Sequence, residues 1–334
     1  MILSIYYCLI FSILNTLFQY LNKFYTAHFK LKELIIALLF IIAFCFFRYY
    51  KFIPYNEGKI SLLTHWWYNA YFNNYAFLFH VVLYLTPLLL GYAVHSWAHK
   101  DWKFWSNPIF IVLIFFGVLV FSSRSALSFI VSDFMDQFSY QHVDWLEKIM
   151  STIARGGFVF SVLFVYWFFV DKKKQPFYGF KKKGVNLKPY LVMLACMLPL
   201  IIAASTQSDF LTSYPRVQKL TSLDMNIENH WIFFAIYELL YGLDFFTIEF
   251  FFRGFMILAF VTIVGPKAII PVAYMYVVIH WNKPMGELIS SFFGGSILGI
   301  ISYYSRSIWG GILVHVGIAW MMELGAFTSK YFFT

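Results

Sequence analysis

Of the 334 residues, 61% are hydrophobic and 23% aromatic, while Asp, Glu, Lys and Arg together make up only 12%. A soluble domain carries about 25% charged residues, so a chain this poor in charge cannot cover a water-facing surface, and a soluble fold is excluded. The net charge of +9 comes from 25 Lys and Arg against 16 Asp and Glu; no extended basic face accompanies it, so nucleic acid is excluded as a partner. What remains is an all-α polytopic membrane protein whose surroundings are the lipid bilayer.

The N-terminal stretch MILSIYYCLIFSILNTLF has no basic residue ahead of its apolar run. It reads as a retained first span and not as a cleaved leader. Apolar runs able to cross a hydrocarbon core of about 30 Å then recur at 2–22, 33–48, 75–95, 108–127, 153–170, 189–205, 231–260, 267–281, 287–304 and 307–327. This predicts roughly nine to ten transmembrane helices. Residues 1–188 form an N-terminal membrane region of about five spans, and 189–334 a C-terminal helical core. Between the fifth and sixth runs lies a lysine loop, Lys172–Lys174 and Lys181–Lys183. Basic loops stay on the cytoplasmic side, so the loop is expected inside and both termini outside, in the cell's inner (plasma) membrane.

Cys8, Cys45 and Cys196 are far apart and form neither a disulfide framework nor a metal motif. His80 sits inside the third span and reads as structural. His28, His65, His95, His99, His142 and His230 lie in or near connectors and carry no signal.

Ionisable groups at membrane depth cost about 2.5–3.5 kcal/mol each on insertion scales and usually face the bundle interior. After residue 230 the apolar runs nonetheless hold Glu238, Asp244, Glu249, Arg253, His280, His315 and Glu323. Glu249 and Arg253 are four apart and share a helix face. The chain is expected to turn near Val264–Pro266. Counted from that turn, Glu249 and His280 both lie about 20 Å along their helices. A second turn at Ser305–Arg306 puts His315 about 14 Å along the last helix. Three helices can thus present one carboxylate and two imidazoles at similar depth.

The segments IEFFFRG (248–254), YVVIH (276–280) and HVGIA (315–319) resemble, in order and spacing, the three motifs of the CAAX protease and bacteriocin-processing (CPBP) family of intramembrane endopeptidases. Those motifs run EExxxR, FxxxH and HxxxN. The resemblance covers about residues 230–327 and implies a CPBP-type helical core. Its first glutamate is Ile248 here, and the closing Asn is Ala319. Asp244 lies one helical turn before Ile248 on the same face and is a candidate replacement carboxylate.

What the resemblance implies is an intramembrane endopeptidase cutting a membrane-associated peptide or protein, with Glu249, Arg253, His280 and His315 as its catalytic residues; helix spacing adds Asp244 to them as a candidate. Two mechanisms fit. In one, a carboxylate and His280 activate water while His315 stabilises the oxyanion. In the other, Glu249, His280 and His315 bind Zn²⁺ with an open fourth position. The alternative is a catalytically degenerate scaffold, an immunity protein or a partner-binding membrane protein, in keeping with Ile248 and Ala319. The topology has its own test. A Gln175→Cys variant in a background without native cysteines should resist labelling by an impermeant thiol reagent in intact cells, and efficient labelling would invert the orientation.

Overall fold

The computed structural model describes residues 2–55, 58–138, 143–181, 186–217 and 230–333. Lys182 and Lys183 of the lysine loop, and His142, lie outside them, as does the side chain of His230. The described chain is almost entirely helical: α1 (Ile2–Ala27), α2 (Leu31–Tyr49), α3 (Leu62–Phe72), α4 (Ala76–His99), α5 (Pro108–Met135), α6 (Val143–Tyr166), α7 (Lys188–Ala204), α8 (Ser208–Ser213), α9 (His230–Glu249), α10 (Val261–Val264), α11 (Ile269–Val278), α12 (Met285–Ser305) and α13 (Trp309–Phe333). A two-stranded hairpin, β1 (Ile53–Tyr55) and β2 (Gly58–Ile60), separates α2 from α3.

Six stretches among the described residues are long and apolar enough to cross a membrane: Ala76–His99, Pro108–Met135, Val143–Asp171, Trp231–Val278, Met285–Ser305 and Trp309–Phe332. The protein is an integral membrane protein. The sequence reading of nine to ten spans also counts the run at 2–22, the side chains of whose first residues lie outside those described, and shorter or more charged helices. Helix α7 has only 17 residues, and α2 carries Lys32, Glu33 and Arg48 within its 19. The runs at 231–260 and 267–281 fall in one apolar stretch, which is broken where expected, at Gly265 with φ 58°. Lipid contact explains the outer faces. On α2, Ile35, Leu39, Ile42 and Phe46 form an exposed stripe while Ala37, Ile41 and Phe44 are buried, the spacing of one lipid face and one packed face.

The helices group into two units, each drawing on early and late parts of the chain. The first comprises Met1–Tyr20, Leu127–Gly254 and Tyr304–Thr334. In it α9 packs against α6 and α13, and α13 also packs against α7 and α8. Ile201, Phe210, Tyr214, Met322 and Ala326 form a core where α7, α8 and α13 meet. The lysine loop is tied to the start of α13: the Ile308 amide donates to the Gly179 carbonyl at 3.1 Å, and the Trp309 indole donates to that of Phe180 at 3.3 Å. Buried Tyr178 donates to Asp171 at 2.8 Å, and its burial beside that carboxylate raises the phenol pKa.

The second unit comprises Leu21–Ala126 and Phe255–Tyr303. Its helices α2, α3 and α11 pack against α4. Gly91 of α4 lets the backbones approach, since a Cβ there would lie 2.5 Å from the Pro271 Cα. Small residues at such a crossing take the place of the hydrophobic driving force that lipid removes. At the C-terminal end of α2, Arg48 donates to the Trp281 carbonyl and the Tyr49 hydroxyl to that of Lys283 at 2.6 Å, which fixes the turn that follows α11. Lys267 pairs with Asp101 and holds its carboxyl below the usual range. Overpacking costs about 1–3 kcal/mol in a well-filled core. Gly91→Val should therefore lower the melting temperature in detergent by several degrees, with Gly58→Val, in open space, as the neutral control.

Candidate functional site

Glu249 is the last residue of α9, and the chain then continues as a π-helix over Phe250–Ala259. Such wide turns are rare and concentrate at functional sites. The Phe250 ring packs on those of Phe160, Phe177 and Phe180, anchoring the switch in helix type to the lysine loop. With Phe250 held there, the charged side chains on either side of it turn inward.

Inward, the carboxylate is fully enclosed: Glu249 is 0% exposed and Arg253 1%. Arg253 NH1 lies 3.3 Å from Glu249 Oε1. His315 Nδ1 lies 2.9 Å from the same oxygen. Helix α13 thus delivers its imidazole to the carboxylate of α9, against the Phe245 ring (centroids 4.5 Å apart). Glu249 Oε2 is buried and accepts no hydrogen bond among the described residues. It points at Gly311, one turn before His315 on the same helix face, where a Cβ would lie 2.5 Å away. Gly311 is required by the site yet was not singled out in the sequence. Its one signal is its spacing of four from His315.

The other sequence candidates sit as follows. Asp244 pairs with Arg155 of α6, 3.5 Å from Oδ2 to NH2. Both line a polar cavity with Lys148, Thr152, Arg216 and Tyr237. Arg155 and Lys148, on α6, are functional candidates that the motif search did not reach. Glu323 accepts the Arg216 backbone N–H at 2.8 Å. In the second unit, His280 Nδ1 is 2.8 Å from the Tyr276 carbonyl, so Nδ1 donates. Its Nε2 is 3.9 Å from Glu287 Oε1, which pairs with Lys283 at 3.0 Å. Ile248 and Ala319 are buried, at 8% and 2% exposure.

A profile of the family described as Type II CAAX prenyl endopeptidase Rce1-like matches residues 229–321. Those residues contain the Glu249–Arg253–His315 cluster and His280. This region is similar to the Rce1-like endopeptidases. No curated protein and no solved structure matches the chain.

A Zn²⁺ ion held by Glu249 and His315 meets an obstacle in the Rce1-like site. The Arg253 guanidinium stands 3.3 Å from Oε1, where a second cation would have to bind against like charge. The donors Glu249 and His315 do not fit a metal.

Removing Arg253 would strand Glu249 without its counter-charge, a change that costs about 3–5 kcal/mol when a buried pair is broken. Arg253→Met should lower the detergent melting temperature or the folded yield, and unchanged stability would show that the pair carries no load. Gly311→Ala should displace the carboxylate or the helix and destabilise the fold, whereas Gly286→Ala, with no neighbour within 4 Å, should not.

Proposed function

We propose that this protein is an intramembrane endopeptidase of the CPBP type, which hydrolyses a peptide bond in a membrane-associated peptide or protein at the plasma membrane. The observation that carries this reading is the buried carboxylate–imidazole pair of Glu249 and His315 inside the Rce1-like region. The Arg253–Glu249 pair is neutral overall, so Nδ1 carries the hydrogen that meets Oε1 and Nε2 offers a lone pair.

In the proposed reaction that lone pair takes a proton from water as the water oxygen bonds to the scissile carbonyl carbon. The C=O π electrons move to oxygen, and Glu249 faces the imidazolium that forms. Collapse of the tetrahedral species breaks the C–N bond as the imidazolium returns its proton to the leaving amine. A carboxylate behind the base sets its tautomer and balances its charge, the division of labour seen in other hydrolases. The Tyr276 carbonyl accepts from His280 Nδ1, and the His280 imidazole is proposed to be needed for turnover. Asp244, with Arg155 beside it, is proposed as the second carboxylate in place of the one absent at Ile248.

One observation favours the scaffold reading, in which the same core binds a partner or confers immunity: the two motif positions at Ile248 and Ala319 are apolar and enclosed. Cleavage of a membrane-anchored reporter peptide in reconstituted vesicles separates the two. A general base contributes about 10²–10⁴-fold, so Glu249→Gln, His315→Ala and His280→Ala should each lower turnover by about 100-fold or more while the protein remains folded. Asp244→Asn should also lower turnover. If all four variants keep the parent's cellular function, the polar cluster is not catalytic and the scaffold reading holds.

A further inference from the structure

His95 and His99, which the sequence reading set aside as connector residues, occupy the last two turns of α4. Four apart, they project from one face. Glu33, in the first turn of α2, meets both: Oε1 is 2.8 Å from His95 Nδ1 and Oε2 is 2.9 Å from His99 Nε2. The three ligand atoms lie within 4.8 Å of one another. Glu33 is 0% exposed and His95 3%, while the His99 side chain is 19% exposed, so the cluster is enclosed except on one side.

We propose that Glu33, His95 and His99 form a binding site for a divalent transition-metal ion of the Zn²⁺ class. Two histidines at i and i+4 on one helix, completed by a carboxylate, form a recurrent zinc set with an open fourth position. Bond lengths of about 2.0–2.1 Å place tetrahedral donors about 3.3 Å apart, so spreading the present 2.8 and 2.9 Å contacts by about half an ångström admits the ion. The electrostatics agree. The partial negative charge at the C-terminal end of α4 favours a cation, and Glu33 supplies a full one. The Lys30 amine donates to the Ala98 carbonyl at 3.1 Å, while its backbone N–H holds Glu33 Oε2 at 2.8 Å. That bond orients the carboxylate as an outer partner orients a metal ligand. His99 is the last residue of the apolar stretch Ala76–His99, and its partial exposure gives aqueous ions a way in. Among the described residues this carboxylate, unlike Glu249, is paired with no guanidinium.

The site lies outside the residues proposed for peptide hydrolysis, and its test does not depend on activity. Full-length protein, stripped with chelator and freed of any affinity tag, is incubated with Zn²⁺, desalted and analysed for metal. Co²⁺ is added separately and its visible spectrum recorded. The expected result is about one equivalent of Zn²⁺ per chain and the intense d–d bands of a four-coordinate Co²⁺ site. His99→Gln and Glu33→Gln should each weaken uptake by at least about 100-fold, while His315→Ala leaves it unchanged. Absence of uptake by the parent protein at micromolar Zn²⁺ overturns the proposal whether or not the variants fold. Uptake that survives both substitutions, or is lost in His315→Ala, overturns it as well.

Discussion

The enclosed carboxylate of Glu249 is the constraint around which the first unit is built. A carboxylate taken out of water into this interior needs a cation, hydrogen-bond donors and space at once. Arg253 supplies the charge and His315 the donor, both on Oε1. Gly311 supplies the space on the side of Oε2. The three come from two helices, so satisfying one side chain fixes α9 against α13.

That requirement propagates outward. The π-helix beginning at Phe250 places a ring in the aromatic cluster that docks the lysine loop, and the loop's carbonyls at Gly179 and Phe180 receive the first residues of α13. The helix bearing His315 is therefore located at its start by the Ile308 amide and the Trp309 indole and about two turns further on by the carboxylate. The other unit meets its own demand similarly. Arg48 and Tyr49 hold the turn after α11, and the Tyr276 carbonyl sets the tautomer of His280. Both motif imidazoles have Nδ1 against an oxygen acceptor.

Much of this was legible in one dimension. The composition excluded a soluble fold, and the i, i+4 spacing of Glu249 and Arg253 announced their pairing. The break after Val264 was equally plain. Local periodicity carries such features, and it fails where partners are distant in sequence. Asp244 read as a group one turn from Ile248, yet its cation is Arg155, brought to it by packing of α6 on α9. Glu33 meets His95 and His99 across 62 and 66 residues, and helix-end charges at that separation look like ordinary connector polarity. Gly311 was silent because a glycine's function here is the absence of a side chain.

Coupling between Glu249 and Arg253 is the most direct measure of the account, and a double-mutant cycle on stability reads it. Unfolding is followed in detergent for the parent, Glu249→Gln, Arg253→Met and the double variant. Groups that satisfy one another in a buried pair give a non-additive cycle, with coupling of about 0.5–3 kcal/mol. The account predicts that the double variant is more stable than Arg253→Met alone, because no unbalanced carboxylate remains. Additive losses, with the double variant the least stable of the four, would contradict it.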